Sequence, residues 1–335
     1  MNKENDAAGI LVIQTAFLGD IVLTLPLLRL LKKHKPGARI LLLTTPVGES
    51  LLRDQQVADR IIVYDKNGKE KGVQSMVRKI REIREYSIGT IICPHRSVRS
   101  GIISLFSGAS KRIGYKLPYL LPFYNIRIKR DKKLHEVDRI LALLAPLGIK
   151  SGGADRYPVL STRNTVRDKN TVGIAPGSVW GTKQWTESGY AVLIKKLHEL
   201  GFSVVLIGNK HDIKTVERIK SMAGGEVKDT VGKTDLPGLA DLLSGICLLV
   251  SNDNGAMQVA QAVNTPVVAI FGPTIPEQGF APIRPNTIVI ESKGLYCRPC
   301  SAHGPRECPE GHFLCMESIT PDTVFRAVKD LLNKI

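Results

Sequence analysis

The chain has 335 residues, of which 43% are hydrophobic and 23% charged, so it is long enough for two domains and too apolar for a disordered or low-complexity protein. The formal net charge is +16. Residues 1–160 hold 28 Lys and Arg against 14 Asp and Glu, whereas residues 161–335 hold 19 against 17, so the basic half favours an anionic partner: nucleic acid, an acidic membrane surface or a phosphorylated substrate.

The N-terminus predicts a cytoplasmic chain, because residues 1–8 are polar and lack the apolar core of a secretory signal. The apolar stretch 21–31 is too short to cross a membrane and contains Pro26 and Arg29. Six cysteines in a chain of this length do not make a secreted disulfide scaffold. Dinucleotide-binding, P-loop, zinc-finger and homeodomain patterns are absent from the sequence, which argues against those classes of protein.

Apolar runs alternate with helical patterns in the first half, which predicts a parallel sheet. Strands are predicted at residues 10–13, 39–44, 60–64 and 90–93, and helices at residues 22–34, 48–54 and 73–85. A turn containing Gly19 and Asp20 is predicted between the first strand and the first helix. Residues 148–170 have no periodicity and are rich in Gly, Ser, Asp, Pro and Arg, so we predict a linker there.

The alternation restarts after the linker. Strands are predicted at residues 171–175, 203–207, 247–251 and 266–271, and helices at residues 190–200, 213–222, 236–245 and 256–263. A final helix is predicted at residues 321–332, with Thr320 as its N-cap and Pro321 at its first position. The sequence therefore predicts two consecutive α/β domains of similar size.

Residues 15–20 follow the first predicted strand, at the edge where open α/β sheets bind ligands. Gly19 allows a ligand to approach the backbone closely. Asp20 stands at the start of a helix, where it is either a helix cap or a general base that takes a proton from an attacking hydroxyl.

Two strand-to-helix turns in the second half are suited to anions. Residues 175–185 contain two glycines, two hydroxyls, Lys183 and both tryptophans of the protein, Trp180 and Trp185. Such a turn is either a diphosphate site or a solvated surface loop. In residues 251–258, Asn254 and Gly255 stand at a predicted helix N-terminus, which is an anion site, although Asp253 and Asn254 are also ordinary helix caps.

Four cysteines cluster near the C-terminus: Cys297, Cys300, Cys308 and Cys315. The first pair has the spacing of a metal site, and His312 is a further candidate ligand, but six residues separate the second pair. The sequence leaves open a structural metal site, reduced thiols or a disulfide.

Taken in order, these turns and several other motifs resemble glycosyltransferase family 9, the ADP-heptose:lipopolysaccharide heptosyltransferases. The resemblance runs nearly end to end, and residues 297–316 resemble the heptosyltransferase II branch. The motifs are Gly19-Asp20 with Leu25-Pro26, His95-Arg96-Ser97 with Arg99-Ser100, Arg112-Ile-Gly114, His135-Glu136, Pro176-Gly177 with Thr182-Lys183 and Trp185, Asp253-Asn-Gly255, and Thr265-Pro266 through Phe271-Gly-Pro-Thr274.

The resemblance implies a GT-B fold, in which two Rossmann-like parallel-sheet domains face each other across a cleft. Residues 1–155 would bind the acceptor, residues 165–318 the nucleotide sugar, and the helix in residues 320–335 would cross back to the first domain. Asp20 matches the general base of an inverting transfer, in which a hydroxyl of the lipopolysaccharide inner core attacks ADP-heptose and ADP leaves. The resemblance implies no cofactor and no required metal.

For the donor, the resemblance implies contacts from Ser178, Thr182, Lys183, Thr234, Asp253, Asn254, Gly255 and Gln258. Lys183 would also stabilise the departing diphosphate, Thr234 would lie near the adenine, and Gln258 stands where many members have His. For the acceptor it implies contacts from Gly19, Arg96, Arg99, Arg112 and His135. The sequence equally allows that His135 only makes hydrogen bonds within its own segment.

The expected partners are therefore a nucleotide sugar and a phosphorylated lipopolysaccharide core. We expect peripheral contact with the cytoplasmic face of the inner membrane and no nucleic acid. Two alternatives remain at this stage. One is a GT-B transferase with another nucleotide sugar, and the other is a non-catalytic protein that binds an anionic glycolipid or nucleic acid.

Overall fold

The computed structural model describes residues 9–163 and 166–334. The polar segment 1–8, residues 164 and 165 of the expected linker, and residue 335 lie outside the described residues. The chain divides into two compact units after Pro158, inside the segment 148–170. In the described residues, no helix combines the length and the apolar character needed to cross a membrane.

The first unit alternates strands and helices, as the sequence predicts. Its strands are β1 (Gly9–Gln14), β2 (Ile40–Thr44), β3 (Arg60–Val63), β4 (Ile88–Ile92), β5 (Lys111–Tyr115) and β6 (Ile126–Ile128). Its α-helices are α1 (Leu18–His34), α2 (Pro46–Leu52), α3 (Val73–Arg84), α4 (Val98–Phe106) and α5 (Glu136–Leu141).

Described strands of this unit form one parallel sheet in the order β3-β2-β1-β4-β5-β6. The central strand β1 is buried at every position, as expected of a strand covered on both faces. It pairs with β2 on one side and with β4 on the other. The order of connection therefore reverses between β1 and β4, which is the topological break of a doubly wound sheet.

Helix α1 begins at Leu18, four residues before its predicted start. Gly19 and Asp20 consequently form the first helical turn rather than a separate turn ahead of the helix. Pro26 lies inside α1, within a run of buried residues from Ile21 to Leu28. Burial of this face stabilises the helix despite the backbone hydrogen bond that a proline cannot make.

The second unit repeats the same arrangement. Its strands are β7 (Thr171–Ala175), β8 (Ser203–Leu206), β9 (Lys228–Asp229), β10 (Leu248–Asn252), β11 (Val267–Phe271) and β12 (Thr287–Glu291). Its α-helices are α6 (Glu187–Glu199), α7 (Ile213–Ala223), α8 (Leu236–Gly245), α9 (Gly255–Ala262), α10 (Leu314–Glu317) and α11 (Pro321–Leu332). Their described strands form a parallel sheet in the order β12-β11-β10-β7-β8-β9.

When the second sheet is followed from β9 to β12, its strand order is the same as that of the first sheet. Its topological break lies between β7 and β10. Both units are thus doubly wound α/β sheets, and the predicted Rossmann-like fold class is confirmed. Each break marks the place where a ligand site is expected.

Helix α11 lies in the second compact unit, and its crossing to the first domain stays a prediction. It packs against α6 and against strands β10, β11 and β12. Its apolar residues Val324, Val328 and Leu331 are buried in the core of the second unit. Because that core covers the whole apolar face of the helix, α11 belongs to the second unit.

Candidate functional site

The break between β1 and β4 brings two loops together at the carboxyl edge of the first sheet. Asp20 follows β1, and His95 and Arg96 follow β4. The side chain of Asp20 is half-buried. Burial is the main reason that its pKa rises from 3.8 to about 6. A carboxyl group with such a pKa exchanges protons near neutral pH, which a general base must do.

The helix-cap alternative for Asp20 is met in part, because its carboxylate closes the first turn from the third position of α1. The N-cap position of α1 is Phe17, and no side-chain cap bond is made there. The carboxylate of Asp20 accepts a hydrogen bond from the backbone of Phe17, which lowers its pKa in part. Asp20 therefore closes the first turn of α1 while its pKa stays raised.

A buried carboxylate is the second cause of the raised pKa of Asp20. Glu136 is 4% exposed and begins α5, which packs against α1. Its carboxylate accepts hydrogen bonds from Arg130 and, at 2.9 Å, from Arg139. The negative charge of Glu136 disfavours ionisation of Asp20, whereas the positive charge of Arg96 favours it. The protonation of Asp20 thus depends on burial and on two opposed charges.

A hydrogen-bonded group of polar side chains lies beside Asp20. Nδ1 of His95 lies 3.0 Å from Oγ1 of Thr15 and 2.9 Å from Oγ of Ser100. Burial, with the charges of Lys66 and Arg96, lowers the pKa of His95 to about 4, so the ring is neutral at physiological pH. Nζ of Lys66 donates to Oγ1 of Thr15 at 3.4 Å.

Three cations therefore surround this polar group. Arg99, in the first turn of α4, donates to the backbone carbonyl of Lys66 at 3.2 Å. The pKa of Lys66 is lowered by burial and by the charge of Arg99, while Asp20 acts in the opposite direction. Lys66, Arg96 and Arg99 can together hold an anionic group of a ligand next to Asp20.

Two of the predicted acceptor residues are used elsewhere. Arg112 lies near the start of β5, at the amino edge of the sheet, and not in a turn after β4. Its guanidinium donates to the carbonyls of Ala109 and Phe123, at 3.0 and 3.1 Å, so the structure assigns it to holding the chain between β5 and β6. His135 is the N-cap of α5, where its Nδ1 accepts from the backbone of Val137 at 3.2 Å.

The break of the second sheet holds a buried ion pair. Nζ of Lys183, after β7, lies 2.5 Å from Oδ2 of Asp253, after β10. Both side chains are 11% exposed. Thr274, after β11, donates to the same carboxylate oxygen at 2.9 Å. Three strand ends thus fix one ammonium group at the carboxyl edge.

Asn254 ties two of these loops together. It is the N-cap of α9, where its Oδ1 accepts from the backbone of Met257 at 3.1 Å. Its Nδ2 donates to the carbonyl of Gly177 at 2.8 Å. Gly255 is the first residue of α9. The side chain of Asn254 is therefore occupied in shaping the turn, and the helix N-terminus that begins at Gly255 is the part suited to an anion.

The other predicted donor residues are more scattered. Thr182 is buried and donates to the carbonyl of Pro305 at 2.5 Å. Ser178 accepts from the backbone of Trp180 at 3.3 Å. Thr234 is exposed just ahead of α8. Gln258 is 3% exposed, and its amide is bonded to the carbonyl of Phe280 at 2.7 Å and to Gln261, so the side chain is occupied in holding α9.

The clustered cysteines are free thiols. Sγ of Cys297 lies 3.9 Å from Nε2 of His312, and burial raises the pKa of Cys315 to about 11. In the part of the chain that the structure describes, no three His, Cys, Asp or Glu side chains are arranged to hold a metal ion. The structure thus describes the cysteines of this cluster as reduced thiols.

Three residues of the site were not assigned a role from the sequence: Lys66, Glu136 and Thr274. Thr274 and Glu136 lie in motifs that carry the family resemblance, so their position in the sequence indicated a place in the site. Lys66 lies in a Gly- and Lys-rich loop after β3 that reads as solvated surface. Only the strand order brings that loop beside β1.

Known proteins resemble this chain along its whole length. A sequence profile of glycosyltransferase family 9 (heptosyltransferase) matches residues 76–311. The lipooligosaccharide heptosyltransferase 2 of Haemophilus influenzae is 26% identical over 97% of this chain and 100% of its own length. A family 9 glycosyl transferase from Veillonella parvula superposes with a TM-score of 0.88 at 23% identity, covering 98% of each chain. The ADP-heptose LPS heptosyltransferase II of E. coli superposes with a TM-score of 0.77 at 23% identity, covering 97% of this chain and 99% of that one.

Proposed function

The chain belongs to glycosyltransferase family 9, and from that premise we propose that it transfers heptose from ADP-heptose to the inner core of lipopolysaccharide. The observation that carries the proposal is the half-buried Asp20, with a pKa of about 6, at the break of the first sheet. It is flanked by Lys66 and Arg96, which suit an anionic acceptor. The names of the relatives in Haemophilus influenzae and E. coli support the choice of donor and acceptor.

In the proposed reaction, Asp20 takes the proton of an acceptor hydroxyl as its oxygen attacks the anomeric carbon of the donor. The bond from that carbon to the diphosphate breaks, and ADP leaves with the electron pair. Attack from the side opposite the diphosphate inverts the anomeric configuration. Its raised pKa supports Asp20 in this role, because a more basic carboxylate accepts a proton more readily.

For the donor, we propose that Lys183 holds the diphosphate and stabilises the charge that develops on it. The pair with Asp253 supports this role, since it keeps the ammonium group in place at the carboxyl edge. Ser178, Thr182 and the N-terminus of α9 at Gly255 would complete the phosphate contacts. Asp253 and Asn254 would act by positioning Lys183 and the turn, and Thr234 stays a predicted adenine contact.

For the acceptor, we propose that Arg96 and Arg99, together with Lys66, bind phosphate or carboxylate groups of the core. Gly19 would allow the sugar to approach the first turn of α1, and His135 would border the site. Because such an acceptor is built on a lipid, we propose that the reaction occurs at the cytoplasmic face of the inner membrane, with the protein bound peripherally.

The donor is tested by a thermal-shift screen of the purified protein with ADP-heptose, ADP-glucose and UDP and GDP sugars. We expect the largest stabilisation with ADP-heptose. A preference for a UDP or GDP sugar would overturn the donor assignment and favour another nucleotide sugar.

The base is tested by transfer of labelled heptose to a deacylated core acceptor. We expect Asp20→Asn to lose at least about 100-fold in kcat. The matched control is Asp59→Asn, at the opposite edge of the same sheet, where the carboxylate pairs with Lys32 at 2.6 Å. Full transfer by Asp20→Asn would exclude Asp20 as the base, and retention of anomeric configuration in the product would exclude the inverting mechanism.

A further inference from the structure

A long irregular segment joins β12 to α10 in the second unit. We call residues 292–313 the clasp; the structure describes all of them, and they form neither a helix nor a strand. The clasp contains most of the stretch that resembles the heptosyltransferase II branch. Irregular segments of this length are uncommon in compact domains and usually serve a site. The loops that the clasp contacts therefore indicate what it does.

Arg298 fastens the clasp to the end of the second sheet. Its side chain is 5% exposed and pairs at 3.0 Å with the carboxylate of Glu291, the last residue of β12. The guanidinium also donates to backbone carbonyls at the start of the clasp, at the end of β11 and in the loop after β11, which are those of Ser292, Phe271, Gly272 and Thr274. The bond to Thr274 measures 2.9 Å. One planar side chain with several fixed donors thus holds the loop after β11 in place.

The loop after β11 leads directly to the ammonium group of the second unit. Thr274 is 2% exposed, and its Oγ1 donates to Oδ2 of Asp253 at 2.9 Å. The same carboxylate oxygen lies 2.5 Å from Nζ of Lys183. Buried polar contacts therefore run without interruption from Arg298 to Lys183. A displacement of Thr274 would displace the carboxylate that holds the lysine.

The clasp also contacts Lys183 at the loop that carries it. Oγ1 of Thr182 donates to the carbonyl of Pro305 at 2.5 Å. Gly304 is buried, and a Cβ at this position would stand 3.3 Å from Cγ of Lys183, closer than ordinary van der Waals contact. Its φ of 78° is also one that favours glycine. The backbone of the clasp therefore packs against the stem of the lysine, while Arg298 acts on its charged end.

We propose that the clasp positions the ammonium group of Lys183 for the donor diphosphate, with Arg298 as the positioning residue and Gly304 as the contact with the lysine stem. The proposal rests on one part of the proposed function, that Lys183 holds the diphosphate. A lysine side chain is flexible, and its charge stabilises a leaving group best when it is held where negative charge develops. Asp253 supplies that restraint only while Thr274 and its loop are themselves held.

A purely structural role for Arg298 is the alternative that the test has to separate. Arg284 is the matched control, because it also donates to a backbone carbonyl, that of Gln261, and to Oδ1 of Asn264 at 3.2 Å. Arg284 precedes β12, so it lies at the amino edge of the sheet, opposite the ion pair. Arg284→Gln and Arg298→Gln should both lower the melting temperature, but only Arg298→Gln should affect the donor site.

The first test is a double-mutant cycle with Lys183→Ala, in which calorimetry measures the Kd of ADP. We expect Arg298→Gln to weaken ADP binding about tenfold or more when Lys183 is present, because a displaced ammonium group loses its contact with the diphosphate. In the Lys183→Ala background, the same substitution should change the Kd less than about twofold, because the group that it positions is gone. Arg284→Gln should leave the Kd within about twofold in either background.

A second pair of variants tests the clasp without touching Arg298. Gly304 and Gly311 both lie in the clasp with positive φ, 78° and 71°, so alanine brings similar backbone strain at each. Apart from the chain neighbours of Gly311, no atom of the described residues lies within 4 Å of a Cβ there. We expect Gly304→Ala to raise the Kd of ADP at least about fivefold and Gly311→Ala to leave it within about twofold. Thermal unfolding checks that each variant is folded.

Several results would overturn the positioning role. They are normal ADP affinity in folded Arg298→Gln, an equal loss with and without Lys183, and controls that lose as much as the clasp variants. An unmodified chain that does not bind ADP would overturn the proposed donor and the positioning role together. Binding of ADP with the expected coupling, but without transfer of labelled heptose, would contradict the proposed transfer and support the positioning role.

Discussion

Replacing Glu136 tests how the first unit controls Asp20. Glu136→Gln removes a buried negative charge whose effect is to raise the pKa of Asp20. It also leaves Arg130 and Arg139 without their carboxylate, and their positive charges then favour ionised Asp20 as well. Both changes act in one direction, so the pKa of Asp20 falls toward its ordinary value.

The size of the effect follows from the pKa of about 6. With that value Asp20 is about 90% ionised at pH 7, and kcat/KM falls about tenfold for each pH unit well below 6. The assay is ADP release against pH, with the midpoint of the acid limb as the readout. We expect Glu136→Gln to move that midpoint below 6 and Arg96→Gln, which removes a positive charge, to move it above 6.

The control is Glu291→Gln. Glu291 pairs with the buried Arg298 at 3.0 Å in the second unit, so its loss also leaves an arginine without its carboxylate. Either substitution should lower the free energy of unfolding by about 3–5 kcal/mol, but only Glu136→Gln should shift the midpoint. An unchanged or higher midpoint in folded Glu136→Gln, or equal shifts in Glu136→Gln and Arg96→Gln, would refute the electrostatic reasoning.

Two further predictions concern the second unit and a corrected residue. Lys183→Ala should lower kcat/KM by about 100- to 1,000-fold, since the diphosphate loses its fixed ammonium group. Calorimetry with ADP checks that binding weakens. An unchanged affinity for ADP would remove Lys183 from the donor site. Arg112→Gln should lower the free energy of unfolding by about 1–3 kcal/mol, because two backbone carbonyls lose their donors. Denaturant unfolding measures this loss, and the KM for the acceptor should stay within about twofold, so a large rise in that KM would restore Arg112 to the acceptor site.

Strands with uninterrupted apolar runs were predictable from the sequence, because a buried parallel strand admits little else. The bounds of β7, α8 and α11 match the predicted ranges. The prediction missed the strands β5, β6, β9 and β12. Strand β6 has three residues, which include the exposed Arg127. So short a strand at the edge of a sheet has no periodicity of its own and depends on its pairing with β5.

The parts of the site that follow one strand were also predictable, since a strand end followed by Gly, Asp or Lys is a local pattern. Asp20, Lys183 and Asp253 were found in this way. Lys66 and Glu136 were not, because their nearness to Asp20 depends on strand order and on the packing of α5 against α1. Arg112 was misplaced for a related reason: the sequence did not show where β5 begins, and a shift of a few residues moves a side chain to the other edge.

The identical strand order of the two sheets makes the protein modular. Each unit carries its ligand loops at its own break, on strands whose pairing does not involve those loops. Under the proposed assignment, the specificity for the acceptor resides in the first unit and the specificity for the donor in the second, so the two can evolve separately. A chimera joined after Pro158, with residues 1–158 of this chain and the second unit of a relative, would keep one preference and acquire the other, which gives such enzymes a recombinational route to new glycan linkages.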